Sequence, residues 1–299
     1  MGNGGDNNGI RVTVVIPMYN AERTILDTLN GVISQQWDKP WDIVVADNKS
    51  TDGSRRIVEE FRSGDRSIRL VDAFESQGTP CSINTGVRAA SGRSVLFCDS
   101  DDIPAPGWLA AMGDALESHE FVACRMDLES LNAGAGASSR RNAQTEGLGK
   151  IGYPPYLLHA GGGTIGVRRE VFLRVGGYDE KLVYLHDTDF CFKAQLAGAP
   201  LHFVNDAVMQ VRFRTDLRKT YIQARNWAEY NILLAKRYRR HGEPPPNRWR
   251  RLYRDGKNVA RSFIHWRRLS EVQRYRAMWM LGWEVGKLKG IVKYFTPPF

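Results

Sequence analysis

Short, almost wholly apolar runs alternate with helix-like segments through the first third of the chain. The runs at 12–17, 41–47 and 68–73 are short and rich in β-branched residues. Between them, segments such as 21–36 have apolar residues at the three-to-four-residue spacing of a helix. Strands that are apolar at successive positions must be covered on both faces, and the intervening helices supply that cover. The sequence therefore predicts an α/β domain with a mostly parallel sheet and helices on both faces.

In such a sheet, ligands bind beyond the carboxyl ends of the strands. These ends are residues 17–20, 47–50 and 99–102, and all three are polar. The first strand runs into PMYNAE instead of a glycine-rich turn, and GNGGDNNG precedes that strand without matching G-x-G-x-x-G. The P-loop signature is also missing from the sequence. These patterns argue against a nicotinamide, flavin or P-loop nucleotide site.

Three carboxylates, Asp99, Asp101 and Asp102, follow the apolar run SVLFC. Grouping them is unfavourable, and a divalent cation with oxygen ligands offsets the repulsion. A helix N-cap before PAPGWLAAM is the alternative, but it accounts for only one of the three. The cluster predicts a Mg²⁺ or Mn²⁺ site that takes further ligands from a substrate phosphate. Such an ion would neutralise the charge that develops on a diphosphate leaving group. The reaction would then be a displacement at the carbon atom to which the diphosphate was attached.

This displacement needs a base, and HDTDFCFKAQLAG (186–198) supplies two candidates. Asp187 lies at the start of a predicted helix, where the helix dipole favours a carboxylate. Asp189 follows two residues later, about 200° around the helix, and cannot share the same site. We predict Asp187 as the base, with a structural helix cap as the alternative.

Five motifs in order make the chain resemble the family-two glycosyltransferases of the GT-A fold. They are VVIPMYN, VVADNKSTDGS, NTGVRAASGRSVLFCDSDD, GGYDE and HDTDFCFKAQLAG, within residues 11–215. The resemblance implies a GT-A (Rossmann-like) domain and a metal-dependent, inverting transfer of a hexosyl group, with Mn²⁺ or Mg²⁺ as cofactor. It implies a nucleoside diphosphate sugar as donor, a UDP-sugar first, in the biosynthesis of a glycan or a glycosylated natural product.

The resemblance also implies roles for individual positions. Those that line the nucleotide are Pro17, Tyr19, Asn20, Glu22, Asp47, Asn84, Asp99, Ser100 and Arg214. Those near donor sugar and acceptor are Gly162, Gly163, Thr164 and His186. Asp99 and Asp101 match the metal ligands, and Asp187 matches the catalytic base. Lys49, Ile83 and His186 depart from the residues usual in the family, so the identity of the donor stays open.

Charge divides the chain into two parts. Residues 1–215 hold 22 Lys/Arg and 27 Asp/Glu, residues 216–299 hold 20 and 6, and the differences of −5 and +14 give the net charge of +9. The basic part carries five of the eight tryptophans, which are Trp227, Trp249, Trp266, Trp279 and Trp283. We predict a long helix over 216–240, which HGEPPP stops, and a second helical stretch over 269–295. They fit a packed extension, a homodimer contact, or an anionic membrane surface with a lipid-linked acceptor. Nucleic acid is not expected, because no nucleic-acid-binding motif is present.

The predicted organisation is a disordered lead-in (1–10), a GT-A catalytic domain (11–215) and a basic, Trp-rich helical extension (216–299). No apolar run reaches about 18 residues and the start does not resemble a signal peptide, so we expect a cytoplasmic protein, with peripheral contact to the inner membrane face left open. The four separated cysteines are expected to be buried free thiols.

Two other functions stay open at this point. One is a catalytically decayed nucleotide-sugar-binding or scaffold protein, and the other is a nucleotidyltransferase, whose basic glycine-rich loop is missing near the first strand. The acceptor class also stays open among a glycan, a lipid carrier, a peptide and a small molecule. The polar stretch 132–150 is too long for a plain connector and is expected to touch the acceptor.

Overall fold

The computed structural model describes residues 9–64, 67–133, 143–213 and 216–299 of the chain. The strands are β1 Val12–Met18, β2 Trp41–Asp47, β3 Ile68–Asp72, β4 Ser94–Phe97, β5 Ile103–Pro104, β6 Phe121–Asp127, β7 Gly149–Lys150, β8 Leu158–His159, β9 Ile165–Arg168 and β10 Leu201–Gln210. The helices are α1 Ile25–Ile33, α2 Ser54–Arg62, α3 Thr79–Ala89, α4 Trp108–Ser118, α5 Arg169–Arg174, α6 His186–Leu196, α7 Leu217–Arg237, α8 Arg248–Ile264 and α9 Glu271–Tyr294.

Eight strands form one sheet in the order β3-β2-β1-β4-β9-β6-β10-β5. The pairs β1/β2, β1/β4, β2/β3 and β6/β10 are parallel, while β9 runs antiparallel to both of its neighbours. Successive residues such as Val44 and Val45 point to opposite faces, and both are fully buried. Both faces of the sheet are therefore covered, and the predicted α/β class with a mostly parallel sheet is confirmed.

The parallel register brings the carboxyl ends of three strands to one edge of the sheet. Met18 of β1 lies opposite Asp47 of β2, and Val15 of β1 lies opposite Phe97 of β4. The polar residues that follow β1, β2 and β4 consequently leave the sheet on the same side.

The described residues divide into two compact units. The first draws on residues up to Asp127, Gln144–Leu148 and His159–Val211, and it contains the large sheet. The second draws on Leu128–Ala143, Gly149–Leu158 and Arg212–Phe299. The described residues of 128–143 and 149–158 therefore group with the C-terminal helices, and the predicted domain bounds stay a prediction.

Two helices of the second unit, α7 and α9, pack with very close backbones. Gly282, Gly286 and Gly290 of α9 face α7, and a Cβ on Gly286 would lie 2.8 Å from the carbonyl carbon of Arg225 and 2.9 Å from Cβ of Ala228. Only glycine fits such a crossing, because the side chain of any other residue would meet the α7 backbone.

The helices of this unit are also joined by ion pairs. Glu229 of α7, which is buried, lies 2.8 Å from the Nζ atoms of both Lys289 and Lys293 on α9. Lys287 of α9 lies 3.8 Å from Asp255 of α8. The helices α7 and α9 agree with the two that were predicted, whereas α8 was not predicted, since charged residues dominate its sequence.

The cysteines and the helix lengths bear on two further predictions. Cys81, Cys98, Cys124 and Cys191 are all buried free thiols, as expected. Within the part of the chain that the structure describes, no helix is long and apolar enough to cross a membrane.

Candidate active site

The segment predicted to line a nucleotide leaves β1 beside the end of β2. Pro17 is buried within β1, whereas Tyr19, Asn20 and Glu22 are exposed beyond it. Asn20 adopts a φ of 49°, and its N–H donates to Oγ of Ser50 at 3.0 Å. The structure thus joins two of the predicted polar segments, and nucleotide binding by these residues stays a prediction.

Asp47 ends β2 and organises the turn that follows. Its side chain is buried, Oδ1 accepts a hydrogen bond from the N–H of Ser50 at 3.1 Å, and Oδ2 lies 3.3 Å from Nη1 of Arg55. Lys49 within this turn adopts a φ of 65°, a left-handed conformation that favours glycine. Both carboxylate oxygens therefore have protein partners, and the predicted contact with a base would use their remaining lone pairs.

The acidic loop after β4 is anchored on α1 and on Thr24, the residue that precedes this helix. The hydroxyl of Thr24 donates to the carbonyl of Ser100, and the hydroxyl of Thr28 donates to the carbonyl of Asp102, each at 2.9 Å. The side chain of Asp102 is buried, whereas Asp99 is half-buried and Asp101 is exposed. The loop therefore presents Asp99 and Asp101, the two predicted metal ligands, and keeps Asp102 inside.

Asp99 lies where negative charge accumulates. Burial, then the nearby carboxylates of Asp101 and Asp187, raise the pKa of Asp99 to about 7. Among the residues that the structure describes, no group of three or more His, Cys, Asp and Glu side chains could hold a metal ion. Asp99 and Asp101 suit a hard cation that takes its remaining ligands from water and phosphate oxygens.

Asp187 is held at the start of α6 by two backbone donors. Oδ1 accepts from the N–H of Thr188 at 2.7 Å, and Oδ2 accepts from the N–H of Gly162 at 3.1 Å. Asp189, by contrast, is fully buried with Nζ of Lys193 at 3.6 Å. The two carboxylates lie in different environments, as the helical spacing predicts.

Gly162, Gly163 and Thr164 form a short 3₁₀ helix between Asp99 and Asp187. A Cβ on Gly163 would lie 2.9 Å from Cγ of Asp99, whereas one on Gly162 would lie 3.6 Å from Cβ and 3.9 Å from Oδ2 of Asp187. Gly163 therefore allows close contact with Asp99, and Gly162 leaves room for one further atom between Asp187 and the Tyr178 hydroxyl. Thr164 is buried, and its hydroxyl donates to the carbonyl of Gly161 at 2.7 Å, so it supports the turn.

Tyr178 is a residue to which sequence reasoning gave no role. Its ring is buried, a Cβ on Gly162 would lie 3.8 Å from its hydroxyl, and that hydroxyl has no hydrogen-bond partner in the described part of the structure. Asn84 fixes the backbone of Tyr178: its Oδ1 accepts from the N–H of Tyr178 and its Nδ2 donates to the carbonyl of Tyr178, each at 2.9 Å. The GGYDE motif contains this tyrosine, but the motif alone does not indicate that its hydroxyl lies near Gly162.

The side chain of Asn84 also donates to Oε1 of Glu180 at 2.9 Å. Its amide oxygen and nitrogen are thus both engaged within the protein, and its predicted contact with a nucleotide stays a prediction. His186 is half-buried beside Asp187, and burial lowers the pKa of its imidazole. Arg214, predicted to line the nucleotide, lies outside the described residues.

Solved structures share this architecture over most of the chain. The mannosyltransferase PcManGT from Pyrobaculum calidifontis, in complex with GDP-Man and Mn²⁺, has a TM-score of 0.62 at 20% identity and covers 95% of this chain and 88% of its own. TarS 1–349 of S. aureus, in complex with UDP-GlcNAc, has a TM-score of 0.53 at 21% identity, covering 75% and 67%. The fold of this chain is the GT-A fold.

The family model described as Glycosyl transferase family 2 matches residues 13–176. This is more than half of the chain, and the chain belongs to that family.

Two curated relatives are aligned over part of their length. Glycosyltransferase AglE of Haloferax volcanii is 28% identical over 204 residues, which cover 66% of this chain and 65% of AglE. The UDP-Glc:alpha-D-GlcNAc-diphosphoundecaprenol beta-1,3-glucosyltransferase WfgD of Escherichia coli is 37% identical over 99 residues, 33% of this chain and 36% of WfgD. The chain thus spans less than two thirds of the length of either relative.

Proposed function

We propose that this chain transfers a sugar, with inversion, from a nucleoside diphosphate sugar to an acceptor nucleophile, and that Asp187 is the base. The observation that carries the proposal is the position of Asp187: its Oδ2 accepts a hydrogen bond from the N–H of Gly162, and the missing side chain of that glycine leaves room for one atom beside the carboxylate. Asp99 lies on the other side of the same short turn. The proposed base and the carboxylate proposed to hold a cation for the diphosphate therefore lie on opposite sides of the turn 162–164.

Asp187 is suited to accept a proton from an acceptor hydroxyl. The backbone donors of Thr188 and Gly162 fix the orientation of the carboxylate. Oδ1 accepts from both the N–H and the hydroxyl of Thr188, whereas Oδ2 keeps a further lone pair for a proton. The absence of a side chain on Gly162 leaves room for the attacking oxygen. General-base assistance then deprotonates that oxygen as it attacks the anomeric carbon.

Asp99 and Asp101 would hold a divalent cation. The raised pKa of Asp99, to about 7, reflects burial and the two neighbouring carboxylates, and a cation would offset that unfavourable charge. When bound, Mn²⁺ or Mg²⁺ supplies positive charge that stabilises the departing diphosphate. The complex of PcManGT with Mn²⁺ supports the same class of ion.

For the donor we propose a UDP-sugar, bound at the carboxyl ends of β1 and β2. Tyr19 is exposed and offers a ring face to a base, and Asp47 lies at the neighbouring strand end. The donor in the name of WfgD and the ligand of TarS are UDP-sugars, which supports this choice, while PcManGT was crystallised with GDP-Man.

The proposal is tested by thermal unfolding of the chain with a panel of UDP-, GDP- and dTDP-sugars, each with and without Mn²⁺. A donor at about 100 times its Kd stabilises the native state by about 2.7 kcal/mol. We expect a UDP-sugar to raise the melting temperature in the presence of Mn²⁺ but not in its absence. In Asp101→Ala this dependence on Mn²⁺ should be lost. No stabilisation by any donor, or an equal effect without the metal, would contradict the proposed site.

A further inference from the structure

An exposed apolar stripe runs along α8. Trp249, Tyr253 and Ile264 have exposures of 58%, 74% and 76%, and Ala260 between them is also exposed. At 3.6 residues per turn these four positions fall within about 60° of arc on the helix. An aromatic and aliphatic stripe of this length is therefore left in solvent on one side of α8.

The stripe is not the face that α8 uses for packing within its own unit. Val259 is buried and Leu252 and Phe263 are half-buried on the adjacent face, and Asp255 is tied to Lys287 of α9. The stripe thus extends the apolar surface of α8 beyond the part that the other helices of the unit cover.

Basic side chains border the stripe on its other side. Arg250, Lys257 and Arg261 are exposed and lie about 20–60° further round the helix. Residues 248–264 contain six Lys/Arg and one Asp, a net charge of +5. Apolar and aromatic side chains beside Lys and Arg on one helix are the features of a helix that lies in a membrane interface.

A second stripe in the same unit has a similar character. Leu288, Val292 and Phe295, at the end of α9, have exposures of 53%, 72% and 91% and recur at the spacing i, i+4, i+7. Lys289 is exposed beside them.

Charge and polarity together select the partner. A second copy of this chain, docked through the same face, would bring two helices of charge +5 together. A nucleic acid would satisfy the basic side chains but leave Ile264 without an apolar partner. An anionic bilayer accepts both, because its interface takes Trp, Tyr and Ile while its phosphates attract Arg and Lys.

We propose that α8 is an interfacial membrane-binding helix, which docks the chain on an anionic phospholipid bilayer through Trp249, Tyr253 and Ile264 with Arg250 and Lys257 beside them. The interaction needs no catalytic step, so it stands or fails independently of the proposed sugar transfer.

The test is co-sedimentation of the full chain with phosphatidylcholine vesicles, with and without phosphatidylglycerol. We expect binding to the vesicles that contain phosphatidylglycerol, weakened by salt. The triple variant Trp249→Ser/Tyr253→Ser/Ile264→Ser should bind about tenfold or more weakly. Its matched control is Leu26→Ser/Leu173→Ser/Leu196→Ser in the first unit, whose leucines have exposures of 46%, 47% and 45%.

A charge-reversal pair separates the basic contribution from the apolar one. Arg250→Glu/Lys257→Glu should also bind about tenfold or more weakly, whereas Arg62→Glu/Arg174→Glu, which changes the net charge equally, should bind like the parent chain. All four variants replace exposed residues, so thermal unfolding should confirm that each is folded.

Four results would overturn the inference. The first is a parent chain that does not bind the anionic vesicles. The second is a loss of binding in the control variants as complete as in the α8 variants. The third is a dimer, detected by light scattering and lost in the triple variant, without vesicle binding, which would assign the face to a second copy. The fourth is binding to an RNA or DNA oligonucleotide, lost in the same variants, without vesicle binding.

Discussion

Replacing Gly286 by alanine tests the close packing of α7 against α9. An added Cβ at this position would overlap the carbonyl oxygen of Arg225 and lie 2.9 Å from Cβ of Ala228. Neither neighbour can move alone, because one is backbone and the other is the first atom of a side chain. The two helices must therefore separate by roughly one ångström or more before the contact with the carbonyl oxygen becomes ordinary.

The size of the effect follows from two opposing contributions. Overpacking of a close contact costs about 3 kcal/mol at the upper end of its usual range, while alanine in a helix gains about 1 kcal/mol over glycine. The free energy of unfolding of Gly286→Ala should therefore fall by about 2 kcal/mol. Gly256 in α8 is the matched control, because its added Cβ meets nothing within 4 Å; Gly256→Ala should gain up to about 1 kcal/mol.

Guanidinium unfolding followed by tryptophan fluorescence measures this difference. Five of the eight tryptophans lie in residues 216–299, so the signal reports mainly on the helical unit. A Gly286→Ala variant as stable as Gly256→Ala would refute the argument, since it would mean that the two backbones are not in close contact.

Three further substitutions test the site. Gly162→Ala should keep the melting temperature, because its Cβ would contact Asp187 at ordinary distances of 3.6 Å and more. It should lower kcat/KM by about 100-fold, because the Cβ fills the space beside the base. Unchanged kinetics would contradict this role of the glycine. Asn84→Ala loses hydrogen bonds to the loop after α5 and should lower the unfolding free energy by about 3 kcal/mol; a change near zero in denaturant unfolding would argue against that role. Hydrogen bonds from Ser76 and then Asn84 lower the pKa of Glu180. The ionised carboxylate of Glu180 therefore stabilises the fold at neutral pH, and this contribution is lost as the pH falls through the folded-state pKa. The difference in stability between the parent chain and Glu180→Gln should accordingly shrink in acid, and a difference independent of pH would count against it.

The sheet could be predicted because its strands carry a strong local signal. The first two strands are apolar at almost every position, so their existence and parallel pairing follow from the pattern alone. Helix ends were less predictable. The apolar spacing suggested a helix from residue 21, but α1 begins at Ile25, because the N–H of Ala21 is bonded to Oγ of Ser54 and the chain turns there first.

Other parts of the fold depend on contacts that no local pattern encodes. The helix α8 has only Val259 buried and is rich in Arg, so it lacks the apolar content typical of a packed helix. The described residues of 128–143 and 149–158 group with the helical unit, and no local pattern indicates this grouping.

The candidate site was predictable only in its charged residues. Asp187 and Asp189 were told apart by the helical period, and the structure places them in different surroundings. The partner of Asp187, the backbone N–H of Gly162, has no side chain to signal it. Tyr178 reaches the site through Asn84, which lies 94 residues away in sequence, and such a long-range pairing cannot be read from either segment.

The central claim is that Asp187 is the base of a sugar transfer, and the most direct measurement compares turnover with donor binding in Asp187→Asn. Asparagine keeps the shape of the side chain but cannot take up a proton. We expect transfer to fall by about 10²–10⁴-fold while the Kd of the donor stays unchanged, with the exposed Asp206→Asn as the matched control that retains both. Full turnover in Asp187→Asn, or loss of donor binding together with turnover, would contradict the account.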